Sequence, residues 1–171
     1  MPTYDPCEIT GNVTVTGGSF VLSCTVDGNV TISGSSAFSL EGASVCNDLH
    51  IQSLAAGQQL GGAVCGSKIK GNLVVQSNLS LVQVGAPNPS ACAVNTVGND
   101  LQAPNNYAAL SIDYNTVGGN LQVQNNTLTV DVSGNTVTNN LTCQGNTQVT
   151  NVAPNKVLHG TAQGQCAASS S

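Results

Sequence analysis

The sequence predicts an all-β fold, a right-handed parallel β-helix (β-solenoid) of about eight coils, and three observations point to it. First, Asn95-Thr96-Val97, Asn115-Thr116-Val117, Asn135-Thr136-Val137 and Asn155-Lys156-Val157 recur every 20 residues, each followed by a Gly/Asn-rich turn and a short apolar strand. A fixed phase of this kind marks a stack of repeated units. Second, the apolar residues within each unit alternate, as in Leu121-Gln122-Val123-Gln124, which is the period of a strand with one buried side. Third, only 6% of residues are charged and 3% aromatic, so Val, Leu and Ile must do the packing while Gly and Asn make the turns.

Each unit is anchored on a β-branched residue: Ile9, Val26, Val45, Ile69, Val97, Val117, Val137 and Val157. Three residues later stand Asn12, Asn29, Asp48, Asn72, Asp100, Asn120 and Asn140, and after them Val13, Val30, Leu49, Leu73, Leu101, Leu121 and Leu141. The eighth unit offers Gly160-Thr161, as suits a terminal coil. The Asn/Asp column is expected to form a structural ladder, each side chain bonding to its own turn or to the next coil. Gly11, Gly28, Asn47, Gly71, Asn99, Gly119 and Asn139 precede that column, so a corner in the left-handed region is expected there.

A second alternating stretch follows, with Phe20 and Leu22, Phe38 and Leu40, Leu79 and Leu81, Leu110 and Ile112, then Leu128, Val130 and Val132 expected to face inward. Units of 17–28 residues leave room for two insertions, around Ala55-Ala56-Gly57-Gln58-Gln59 and Ala86-Pro87-Asn88-Pro89-Ser90, which should loop out of one corner. Hairpin sandwiches would reverse direction every 8–12 residues and lose the common phase, whereas parallel crossovers keep it and are nearly always right-handed. The whole chain, 1–171, reads as a single domain: 1–8 a lead-in or cap, 9–166 the coils, 167–171 a tail.

Seven cysteines without any C-x-x-C spacing favour disulfides over a metal site, with one thiol left over. Cys7 and Cys24 hold the same phase on adjacent coils and are expected to pair. Cys65 is expected to pair with Cys92, with Cys46 as a competitor, and Cys143 with Cys166. No metal or other cofactor is implied.

Three lysines, no arginine and a net charge of −5 remove the positive field that nucleic acid or an anionic bilayer requires. No apolar run approaches the roughly 20 residues that would span a membrane. The chain begins Met1-Pro2-Thr3 without a basic, apolar leader and is expected to be a mature form.

The segments Gly119-Asn120-Leu121-Gln122-Val123-Gln124-Asn125-Asn126, Gly134-Asn135-Thr136-Val137, Asn140-Leu141-Thr142-Cys143-Gln144-Gly145-Asn146 and Gly164-Gln165-Cys166 resemble the C-terminal repeats of secreted bacterial, especially actinobacterial, right-handed β-helix proteins. The resemblance covers residues 95–166 well and the earlier part loosely. It implies the fold and export, not an activity.

Function is expected to be that of an extracellular structural or adhesive module, secreted or at a cell surface. Its partners would be further copies of itself, end to end or side by side, or surface polysaccharide. By analogy of fold alone, a polysaccharide-binding or -cleaving alternative would use Asp113 and Asp131, two positions out of phase on adjacent coils, with Tyr107 and Tyr114 as a sugar platform. An ice-binding alternative would use the outward column Thr25, Ser44, Lys68, Thr96, Thr116, Thr136 and Lys156, beside Gln52, Gln76, Gln124 and Gln144. No catalytic residue is assigned. Sequons at Asn12, Asn29, Asn78, Asn125 and Asn140 complete the candidate sites.

Overall fold

A computed structural model describes residues 8–57, 61–86, 88 and 90–167, apart from the side chain of Ser35. It is a parallel β-solenoid of about eight turns with three faces. The first face stacks Glu8–Thr10, Thr25–Asp27, Ser44–Val45, Lys68–Ile69, Asn95–Val97, Asn115–Val117, Thr136–Val137 and Lys156–Val157 in chain order. The second stacks Leu49–Leu54, Leu73–Gln76, Leu101–Pro104, Leu121–Gln124, Leu141–Gln144 and Ala162–Gly164. The third carries Gly62–Cys65, Val82–Val84, Leu110–Asp113, Thr129–Ser133 and Gln148–Thr150. In the first two coils the strands Val13–Leu22 and Val30–Glu41 run unbroken from the second face onto the third.

Every strand pair is parallel, and the expected phase holds through the stack. Ile9 lies opposite Val26, Val26 opposite Val45, Val45 opposite Ile69, and so on through Val137 opposite Val157. On the second face Val13, Val30, Leu49, Leu73, Leu101, Leu121 and Leu141 form a like column. From Val26 to Val137 and from Val30 to Leu141 all of these are buried. A lone coil could not bury them; stacking gives every inward side chain two neighbours at about 4.8 Å.

Five expectations need correction. The last coil carries one residue more at its corner, so Ala162, not Thr161, faces Leu141, and Thr161 takes the ladder position. Glu8 already belongs to a first-face strand, so the coils begin there. In the fourth coil the inward pair on the third face is Val82 and Val84, while Leu79 is half-exposed, as is Leu128 two coils further on. Gly62 and Val64 supply the inward pair of the third coil, which alternation of large residues could not flag. A Cβ on Gly62 would lie 2.3 Å from the Phe38 ring, so the glycine is the space into which Phe38 packs.

The fourth correction concerns the corner. Gly11 has φ +86°, but the other residues before the Asn/Asp column do not take positive φ. Gly71 and Gly119 are needed for closeness: a Cβ there would come within 2.2 Å and 2.3 Å of the Asp48 and Asp100 side-chain oxygens of the preceding coil. Left-handed residues occur at the other two corners instead. Ser53, Ser77, Asn105 and Asn125 (φ 53–58°) end the second face, and Tyr114 (φ 54°) and Gly134 end the third. The insertions leave by different corners, one between the second and third faces and one between the third and first; residues 58–60, 87 and 89 lie outside the described set.

Candidate functional site

The predicted ladder exists and has a direction. The backbone N–H of each member donates to the side-chain oxygen of its predecessor: Asn29 to Asn12 (2.9 Å), Asp48 to Asn29 (3.0 Å), Asn72 to Asp48 (2.7 Å), Asp100 to Asn72 (3.1 Å), Asn120 to Asp100 (2.7 Å) and Asn140 to Asn120 (3.1 Å). Asp48 and Asp100 therefore act as acceptors within a turn column.

Two further ladders were not anticipated. At the corner after the second face Asn78, Asn106, Asn126 and Asn146 are buried, and at the corner after the third so are Asn95, Asn115, Asn135 and Asn155. They run the opposite way: Asn115 N–H and Nδ2 both donate to Asn135 Oδ1, at 2.9 Å and 3.0 Å, and Asn135 donates likewise to Asn155. The spare Nδ2 proton of Asn115 reaches the Val84 carbonyl and that of Asn135 the Ile112 carbonyl. The Asn115 and Asn135 amides are thus fully occupied. The signal was present in the repeat itself, where Asn95, Asn115, Asn135 and Asn155 open the recurring motif, but alternation rules say nothing of a polar residue pointing inward.

Cys65 bonds to Cys92 and Cys143 to Cys166, with Cα atoms 5.1 Å and 5.2 Å apart, and Cys46 is a free thiol. Cys24 is disulfide-bonded, and Cys7, its expected partner, lies outside the described residues. A hollow of about 230 Å³ beside the Cys65–Cys92 bond is lined by Glu41, Gly42, Gly66, Ala91 and Ala93, a single charge among backbone and methyl groups.

Asp113 and Asp131 come together as the phase requires. Asp113 lies opposite Ser133 and Asp131 opposite Ser111, giving a chequered block of two acids and two hydroxyls on the outer side of the third face. Ser111 donates to Asp113 Oδ2 and Ser133 to Asp131 Oδ1. Asp113 has no exposed surface, and its Oδ1 has no hydrogen-bond partner among the described residues. Burial raises its pKa to about 6; the Ser111 hydrogen bond opposes that, the Asp131 charge adds to it, and a Ser133 backbone hydrogen bond opposes it. A carboxyl with a pKa near 6 is the right kind of general acid, but a glycosidic oxygen would have to touch it, and nothing outside the protein reaches Asp113.

Tyr107 and Tyr114 do not form one platform. Tyr107, half-exposed, follows Asn106 at the corner entering the third face, whereas Tyr114 leaves that face and lays its ring on Gly134. The outward column Thr25, Ser44, Lys68, Thr96, Thr116, Thr136 and Lys156 is in register, one residue per coil. Gln76 Nε2 donates to Gln52 Oε1 (3.1 Å) and Gln124 lies opposite Gln144, but Pro104 stands opposite Gln124 and breaks the column. Of the sequons, Asn78 is buried in a ladder, and Asn125 is exposed.

Among the described residues no group of three or more His, Cys, Asp or Glu could hold a metal ion, and no helix is long and apolar enough to cross a membrane. Compared with family models, curated proteins and solved structures, the chain matches none.

Proposed function

We propose that this chain is an extracellular structural or adhesive rod that works through its outer faces and ends, with further copies of itself or surface polysaccharide as partners. One observation supports the reading: the ladder Asn and Asp residues and Asp113, the polar groups that recur or are buried, are engaged within the stack rather than presented to a ligand. The ladder Asn and Asp residues accept neighbouring amides, and the Asp113 carboxyl lies beneath the surface. What remains outside is columns of hydroxyls and amides repeated at the coil spacing, a surface suited to repetitive or self-like partners. Disulfides between neighbouring coils favour an oxidising compartment.

Polysaccharide cleavage and ice binding have less support. Asp113 offers a substrate no accessible oxygen, and the first face presents one outward column rather than a paired array for ice. Fractionation of the producing cells tests the reading. The chain should be recovered with envelope or matrix material, with its cysteines oxidised apart from one, and should survive proteinase K at concentrations that digest ordinary globular domains. Recovery from the cytosol with reduced cysteines, or hydrolysis of a polysaccharide by the pure protein, overturns it.

A further inference from the structure

The two ends of the rod are built differently. At the C-terminal end the edge strands Gln148–Thr150, Lys156–Val157 and Ala162–Gly164 are two or three residues long, and one carries a lysine. Cys166, fully buried and bonded to Cys143, sits over the last core position. Gln165 completes a ladder: its Oε1 accepts from Asn146 N–H and Nδ2, each at 3.0 Å, and its Nε2 donates to the Asn146 carbonyl at 2.7 Å. Short, charged and covered edges are how sheets avoid adding strands.

At the N-terminal end the first-face strand Glu8–Thr10 is also short and charged, and Cys24 is disulfide-bonded, but the other sheet carries none of these devices among the described residues. Its edge is the ten-residue strand Val13–Leu22, without charge or proline, hydrogen-bonded on one side only among the described residues. Val13 bonds to Asn29 of the second coil, so in a parallel pair the alternate residue Thr14 turns its N–H and C=O groups toward the open side, whereas the Thr16 carbonyl points at Gly34 of the second coil. Thr14, Thr16, Gly17, Gly18 and Ser19 are exposed, and a Cβ on Gly17 or Gly18 would meet nothing within 4 Å. Ile9, Val13, Val15 and Phe20 are only partly buried, although their counterparts in the next coil are buried.

The strand is also nearly palindromic about Gly17-Gly18. Pairing it antiparallel with a second copy sets Val13 opposite Leu22, Val15 opposite Phe20, Thr14 opposite Val21 and Thr16 opposite Ser19. Inward apolar residues then meet apolar ones, and outside Thr16 meets Ser19. The same two-fold axis would cross the middle of the first face, setting Ile9 on Ile9. We infer that the N-terminal coil is a self-docking surface, joining two copies edge to edge in an isologous dimer while the closed C-terminal ends point outward. The inference rests on the reading of a rod that associates through its ends, and replaces open-ended growth by a pair.

Sedimentation equilibrium of the full chain tests it. The expected mass is twice 17.1 kDa. The variant Thr14→Asp/Thr16→Asp, whose side chains point to solvent, should sediment as a monomer with an unchanged circular-dichroism spectrum. Gln163→Lys at the other end should remain a dimer. A wild-type monomer at 200 μM, a dimer indifferent to the aspartates, or filaments whose growth Gln163→Lys stops would each overturn the inference. So would dimerisation only after removal of residues 1–6, because that segment would then be the natural occupant of the edge. None of these results touches the adhesive reading, which stands or falls by the fractionation experiment.

Discussion

Replacing Asp113 by asparagine isolates the electrostatic cost of one buried carboxyl. Asp113 has no exposed surface, and its pKa rises from 3.8 to about 6. The folded state therefore holds the proton more tightly than the unfolded chain, so the acid's contribution to stability is fully present below pH 3.8 and is lost as pH rises through 6. A shift of roughly 2 units at about 1.4 kcal/mol each makes wild type about 3 kcal/mol less favourable at pH 7 than a form whose residue 113 stays neutral. Asparagine has the same shape and no charge. Asp113→Asn should match wild type within about 1 kcal/mol at pH 4 and exceed it by about 2–3 kcal/mol at pH 7. For a domain of this size that is roughly 5–10 °C in Tm. Thermal unfolding at half-unit steps from pH 4 to pH 8 reads the difference between the two curves, in which the titration of the other carboxylates cancels. Parallel curves, or a variant less stable at pH 7, would refute the reasoning. Asp131→Asn supplies a second check: removing the neighbouring charge should lower the Asp113 pKa and flatten part of the slope.

The ladders should respond unequally to truncation. Asn135→Ala leaves the Asn115 N–H and Nδ2 and the Ile112 carbonyl without partners in a dry interior and should cost about 3–5 kcal/mol, whereas Asn120→Ala, half-exposed, should cost about 1 kcal/mol because water replaces the lost acceptor; urea midpoints decide. Gly118→Ala places a Cβ 2.3 Å from the Gly98 carbonyl oxygen of the preceding coil, so the stack must open, at a cost of about 1–3 kcal/mol read as a fall in Tm. Replacing Cys143 and Cys166 by serine removes a 23-residue link and should cost about 3 kcal/mol, with hydrogen exchange quickening first between residues 156 and 164.

Much of the fold was legible because a parallel stack copies one local rule into every coil. Once Val97, Val117 and Val137 fell 20 residues apart, register followed, since any slip would turn Leu121 or Leu141 outward. The Asn/Asp ladder could be placed for the same reason. Leu79 and Leu128 misled because apolar residues at a corner obey no alternation, and Gly62 was invisible because its role is to lack a side chain beneath Phe38. The inner Asn ladders were missed because burial of a polar residue makes sense only when both of its hydrogen-bonding partners are known, and those lie 20 residues or more away.

By itself the sequence determined the architecture: the strand period and the coil phase follow from spacing, because neighbours in space recur at fixed intervals along the chain, while the Cys65–Cys92 and Cys143–Cys166 links were candidates, with Cys46 competing for Cys65, until the structure chose them. Tertiary structure alone decided what lies between coils. It buried Asp113 against Asp131 and raised its pKa, separated Tyr107 from Tyr114 by a face, and closed one end of the rod while leaving a palindromic edge at the other. Those properties depend on how many neighbours a group acquires when turns stack, a quantity that no single turn contains.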